Sequence, residues 1–243
     1  MALTPFIYEF FALGDAAITI DLGNRIDKPL NEEIISRYYQ FKQEPLTGMI
    51  EAVPAYSSLT IYYDIAAVRK KIQDGSTAFE YLRKEIERKL LRPVQTTNIE
   101  KRVVDIPVCY ESEFAPDIDK LVIPKKISRE EIIRIHTFSS YRVYMMGFLP
   151  GFAYMGVVDE SISAPRKTQP VSTAAGSVGI AGNQTGIYPL DSPGGWQIIG
   201  RTPLELFDPG KQEFSLLRTG DEVKFYAISK DEFYQLKKNK YRR

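Results

Sequence analysis

The sequence predicts a small α+β domain followed by a mostly β domain, a barrel or a sandwich. Two observations carry this. Over residues 1–107, runs that alternate with a period of two are interleaved with runs at helical spacing. In the second half, short strands follow one another between turn signals, and the stretch Gly147–Phe207 holds ten of the chain's 16 glycines. Between Thr168 and Gly200 that stretch has a single charged residue, Asp191, in a chain that is 26% charged. A solvated linker would carry more charge, and a core helix would avoid glycine and proline. The stretch therefore reads as tight turns joining short strands, a packed β-structure whose loops line a site.

Each element follows from its own pattern. Ala16–Leu22 (AAITIDL) alternates as a strand and stops at Gly23-Asn24. Asn31 can cap a helix running to about Gln43, with Ile34, Ile35, Tyr38 and Phe41 on its apolar side. Met49–Val53 and Leu59–Tyr63 are short β-type runs on either side of a turn at Pro54-Ala55. A helical stretch starts near Asp64, pauses at Asp74-Gly75 and restarts at the capping box Thr77-x-x-Glu80; Phe79, Leu82, Ile86 and Leu90 then keep helical spacing to Pro93. Arg102–Val108 is a further strand. The order strand–helix–strand–strand–helix–strand is ferredoxin-like, and the domains are set at 1–92 and 93–243.

Residues 109–127 are loop-rich, with Pro116 and Pro124. Ser128-x-x-Glu131 caps a short helix bearing Ile132, Ile133 and Ile135. Tyr141–Met146 alternates as a strand that leads into the glycine-rich stretch, and Glu222–Ile228 is a closing strand. Short strands at this spacing predict the β domain.

Composition excludes several classes of function. A net charge of +1 gives no field to draw in nucleic acid or an anionic membrane; the basic end (Lys237, Lys238, Lys240, Arg242, Arg243) reads as a soluble tail. Cys109 is the only cysteine and His136 the only histidine, which rules out an internal disulfide, a thiolate zinc cluster and HExxH-type metal sites. No apolar run approaches the roughly 20 residues needed to span a bilayer, and a reducing, cytoplasmic setting is expected.

The glycines at 176, 179, 182 and 186 do not make a phosphate loop, since no GKS or GKT and no helix-opening GxGxxG is present. Their freed N–H groups can cradle an anion as a nest, and turn geometry explains them equally. Ala175-Gly176-Ser177-Val178-Gly179 has Ala175 where a nucleophile elbow needs glycine, and the sole imidazole lies upstream, so a Ser–His hydrolase is disfavoured. His136, at a helix C-terminus, is a capping or packing residue, or one whose protonated form the dipole favours. The polar residues Asn183, Gln184, Thr185, Tyr188, Asp191, Ser192 and Gln197, flanked by Arg166, Lys167 and Arg201, suit a small carboxylate or amide ligand. Loop hydrogen bonding is the other account of the same residues.

Three segments carry a resemblance: GFLPGFAYMG at 147–156, GSVGIAGNQTGIYPLDSPGGWQIIGRTPLELFDP at 176–209 and HTFSSYRVYMMGF at 136–148. They closely resemble the family of 5-oxoprolinase B subunits, also called kinase A inhibitor (KipI) and allophanate hydrolase subunit 1. Weaker similarity at 13–23, 53–64 and 105–110 extends it to nearly the whole chain. The resemblance implies an α+β domain followed by a cyclophilin-like barrel. It implies a C-type (KipA-like) partner and an A-type partner that together complete an ATP- and Mg2+-using 5-oxoprolinase yielding L-glutamate. Two alternatives come with it: inhibition of a sporulation-type histidine kinase, and a carboxyltransferase component of a urea carboxylase/allophanate system. Members usually have an arginine and Val-Pro before Ala-Gly-Ser, where this chain has Pro170-Val171-Ser172-Thr173-Ala174-Ala175, leaving Arg166 and Arg201 as the candidate anion contacts. The expected substrate-binding set is Arg166, Gln184, Tyr188, Asp191, Ser192, Gly194, Gly195, Trp196 and Arg201; the resemblance assigns no catalytic residue.

Overall fold

The computed structural model describes residues 6–92 and 102–240. They fall into two units, Met1–Glu100 and Lys101–Arg243. The boundary expected after residue 92 borders the segment 93–101, which lies outside the described residues, as do basic residues 242 and 243.

The first unit runs β1 (Glu9–Ala12), β2 (Ala17–Asp21), α1 (Lys28–Gln43), β3 (Met49–Pro54), β4 (Ser58–Tyr63), α2 (Ile65–Arg69) and α3 (Ala78–Leu90). Its antiparallel sheet has the order β1-β2-β4-β3. Because β4 lies antiparallel between β2 and β3, α1 closes a split βαβ unit. The period of two sends Ile18, Ile20, Leu59 and Ile61 into the core against Ile34, Phe41, Leu82 and Ile86. On the opposite face the register partners Thr19 and Thr60 bond each other through their hydroxyls at 2.9 Å.

Two expectations are corrected here. Asn31 does not cap α1. Asp27 does, accepting from Leu30 N–H at 3.0 Å, with proline in the first turn. Asn31 is buried one turn inside the helix, and its amide donates to the carbonyls of Ala55 and Tyr56 (3.1 and 3.2 Å), tying α1 to the β3–β4 turn. The fourth strand of the sheet is β1, whereas the strand expected at 102–108 belongs to the second unit. The Thr77–Glu80 capping box forms as predicted.

The second unit contains β5 (Val103–Cys109), α4 (Asp119–Lys125), α5 (Arg129–Phe138), β6 (Ser140–Met146), β7 (Ala153–Gly156), β8 (Val171–Thr173), β9 (Ser177–Ala181), β10 (Gln184–Ile187), β11 (Ser192–Gly194), β12 (Gln197–Arg201), β13 (Glu222–Ile228) and α6 (Lys230–Lys240). Seven strands close a barrel in the order β10-β7-β6-β13-β5-β12-β9, and β8 and β11 form a separate ribbon. Every barrel pair is antiparallel except β5 with β13. Ile106, Val108, Tyr141, Val143, Met155, Val178, Ile180, Ile187, Val223 and Phe225 fill the interior. Residues 109–127, read as loop-rich, accommodate α4, which carries Pro124 in its last turn.

Candidate functional site

A cleft of about 580 Å³ opens between barrel strands β7, β9 and β10 and the β8–β11 ribbon. That volume suits a small molecule. Its apolar wall is an aromatic cluster centred on Phe152, which packs edge-on against Phe148 (5.5 Å), Tyr154 (4.8 Å), Tyr188 (5.3 Å) and Trp196 (5.5 Å) between ring centroids. Phe148 is 60% exposed and holds the left-handed backbone conformation at φ +67°, uncommon for a residue with a side chain.

The cluster explains much of the glycine density. A Cβ on Gly186 would lie 3.0 Å from both Phe152 and Trp196, and one on Gly179 would lie 3.0 Å from Trp196. A Cβ on Gly194 would lie 2.6 Å from the Tyr188 hydroxyl and from Thr173 Oγ1. Glycine stands at these positions so that backbone can lie against the side chains of the cluster.

The polar part of the cleft is small. Burial raises the Tyr188 pKa, partly offset by the nearby backbone N–H of Trp196, by Arg166 and by the N–H of Gly195. Burial also raises Tyr154, again offset by Arg166. The Arg166 guanidinium therefore sits within electrostatic reach of both phenols. It lies over Gly195, 3.5 Å from where a Cβ would stand, and has no carboxylate partner among the described residues. An exposed cation beside aromatic walls and directional amides, Asn183 and Gln184, can hold a small anion with an apolar ring.

Six residues of the expected set line this cleft together: Arg166, Gln184, Tyr188, Gly194, Gly195 and Trp196. Asp191, Ser192 and Arg201 do not. The Asp191 carboxylate accepts from Ala175 N–H at 2.7 Å, and Arg201 Nε donates to Ala175 O at 2.8 Å, so both pin one loop residue. Ser192 starts β11 with its hydroxyl oxygen buried and unpartnered. For Asp191 and Arg201, these bonds to loop backbone are a sufficient account.

His136 is a packing residue. It is wholly buried and stacks on Phe225 at 4.5 Å. Thr185 donates its hydroxyl proton to Gly179 O at 3.1 Å, so it receives a bond from His136 Nε2–H (3.1 Å), leaving Nδ1 to accept from Tyr110 O–H (2.8 Å). Burial lowers its pKa to about 3, so the imidazole is neutral and no helix dipole protonates it. With both nitrogens occupied it activates no serine, and Ser177 is itself buried in β9. Burial also raises the Cys109 pKa, which makes that thiol a poor nucleophile.

Sequence reasoning missed one polar group. Asp117 is 2% exposed and receives Lys120 Nζ at 2.7 Å, Lys167 Nζ at 2.6 Å and Ile198 N–H at 2.8 Å. Burial opposes its charge, but these donors outweigh burial and hold the pKa below the ordinary carboxylate value.

The two units together match a carboxyltransferase-type domain. Residues 8–217 match the family described as "Carboxyltransferase domain, subdomain C and D". The chain is 43% identical over 232 residues to the 5-oxoprolinase B subunit of Bacillus subtilis (strain 168), covering 95% of this chain and 97% of that one. It is 34% identical to the protein of the same name from Escherichia coli O157:H7, covering 88% and 94%. The chain belongs to the family of 5-oxoprolinase B subunits. Among solved structures, TTHA0988 superposes with a TM-score of 0.74 at 31% identity; the match covers 88% of this chain and 40% of TTHA0988, so this chain spans about two fifths of that protein.

Proposed function

We propose that this chain is the B subunit of an ATP-dependent 5-oxoprolinase, which opens the lactam of 5-oxoproline to L-glutamate together with C-type (KipA-like) and A-type subunits. The observation that carries the reading is identity running nearly end to end with proteins named as that subunit. The cleft is consistent with it: aromatic walls suit a five-membered ring, and Arg166 offers a charge-assisted contact to a carboxylate. The barrel, on this reading, is cyclophilin-like.

A lactam is a poor electrophile, and phosphorylation of its oxygen by ATP supplies the activation. Such chemistry depends on placed cations and N–H donors more than on a side-chain nucleophile. Among the described residues no three His, Cys, Asp or Glu side chains gather into a cation site. On this reading nucleotide and metal are used by the assembled complex, and this chain binds and orients the ring. The setting is cytoplasmic on this reading; no helix among the described residues is long and apolar enough to cross a membrane.

The test is reconstitution. The chain is mixed with its A- and C-type partners, 5-oxoproline, ATP and Mg2+, and glutamate is measured. Glutamate no higher than in a mixture lacking this chain rejects the proposal.

A further inference from the structure

Arg166 is a long, exposed side chain on an irregular segment, the kind of group that samples many rotamers and loses entropy when it binds. Its two chain neighbours are nonetheless held firmly. On one side, Gln197 Nε2 donates to Pro165 O at 3.0 Å. On the other, Lys167 N–H donates to Gly195 O at 2.7 Å, and Lys167 Nζ reaches the buried Asp117 at 2.6 Å. Asp117 is anchored in turn to one residue of β12: its N–H donates to Ile198 O at 3.0 Å and its carboxylate accepts from Ile198 N–H at 2.8 Å.

A buried ion pair of this kind seldom adds net stability, because desolvating both charges consumes most of the attraction. Its presence calls for another account, and the geometry supplies one. The anchors on both sides of residue 166 run to closely spaced residues, Gly195, Gln197 and Ile198, beside the cleft wall. Asp117, with two lysines on its carboxylate, is occupied and leaves Arg166 to a ligand.

We infer that Asp117, Lys167 and Gln197 are positioning residues for Arg166: by fastening Pro165 and Lys167 to the start of β12, they hold the guanidinium over Gly195 at the cleft, preset to receive the carboxylate of a small cyclic amide. The inference rests on the proposed function for the identity of that ligand. Preorganisation of this sort acts on ligand affinity and loses its effect once Arg166 is gone.

The test measures glutamate formation by the assembled complex against 5-oxoproline concentration. Lys167→Met should raise KM about tenfold with kcat within about twofold, as expected when a charge-assisted binding contact is lost. Lys167→Arg, which keeps the charge for Asp117, should stay within about threefold of the unaltered complex. In an Arg166→Ala background, Lys167→Met should add less than about twofold, because the pathway it acts through is already removed. An equal cost in both backgrounds, or a cost confined to kcat, overturns the inference. Should Lys167→Met fail to fold, Gln197→Met removes only the bond to Pro165 and is expected to raise KM in the same sense; an unchanged KM overturns the inference. If the unaltered complex makes no glutamate, the oxoprolinase reading fails, and the positioning role is then read from quenching of Trp196 in the full chain. There, 5-oxoproline should outcompete 2-pyrrolidone, which lacks the carboxylate, in the unaltered chain and lose that advantage in the variant. The same response in both chains overturns it.

Discussion

Lowering the pH from 7.5 to 5.0 should destabilise the barrel by an amount that belongs largely to one residue. His136 is wholly buried, and desolvation lowers its pKa to about 3. In the unfolded chain it titrates near 6.5. Unfolding therefore takes up a proton between these values, so stability is complete above about pH 6.5 and declines as pH falls toward 3. Linkage between the two pKa values gives a loss of about 2 kcal/mol at pH 5.0 and almost none at pH 7.5. The figure at pH 5.0 barely changes if the folded value is 3 or 4, because the imidazole is neutral in the native state either way. The chain has one histidine, and most carboxylates titrate below this window. Trp196, the single tryptophan, lies in the barrel unit, so its emission during urea unfolding follows that unit alone. His136→Gln should be less stable at pH 7.5 but nearly flat between the two pH values, retaining only the small carboxylate share. If the two proteins lose the same stability, His136 is not the buried neutral group described.

Four further outcomes follow from the contacts. Arg201→Ala should cost about 1 kcal/mol through loss of the bond to Ala175 O, seen by urea unfolding, while KM for 5-oxoproline in the reconstituted complex stays unchanged; a raised KM would return Arg201 to the site. Gly194→Ala forces a Cβ to within 2.6 Å of the Tyr188 hydroxyl; overpacking of about 1–3 kcal/mol and a shifted Trp196 emission should accompany weaker ligand binding. Gly176→Ala combines φ +83° with a Cβ 2.3 Å from Thr202 O and should be the more damaging of the two by thermal melting. Cys109 should react with a thiol reagent such as DTNB only as fast as the barrel unfolds, since the side chain is fully buried; prompt labelling of the native protein would contradict that packing.

Much of this was legible in the residue order where a local rule decides. The Thr77–Glu80 box marked α3 because side chain and backbone N–H groups satisfy each other within one turn. The charge-poor, aromatic-rich run lines a cleft, and Arg166, Gln184, Tyr188 and Trp196 meet there. What misled was the choice between equivalent local partners. Asn31 and Asp27 are both good caps, and burial of Asn31 against the β3–β4 turn decides the matter. The strand after residue 102 fits a ferredoxin-like count equally well, until its pairing with a strand more than a hundred residues later is known. Asp117 gave no signal at all: it is one acid in a loop, and its partner Lys167 is fifty positions away. Arg201 and Asp191 have the chemistry of an anion site, and in the fold both bond the backbone of Ala175, a contact the residue order does not show.

The parallel pairing of β5 with β13 also sets an order of events during synthesis. The opening strand of the barrel must wait, one edge bare, until residues 222–228 have left the ribosome and can be laid beside it. Until then the neighbouring edge of β6 is bare as well, because β13 is the stave between them. Two unpaired edges on a nascent chain invite pairing with other chains. The sheet of the first unit needs no such late arrival, for all four of its strands are complete by residue 63.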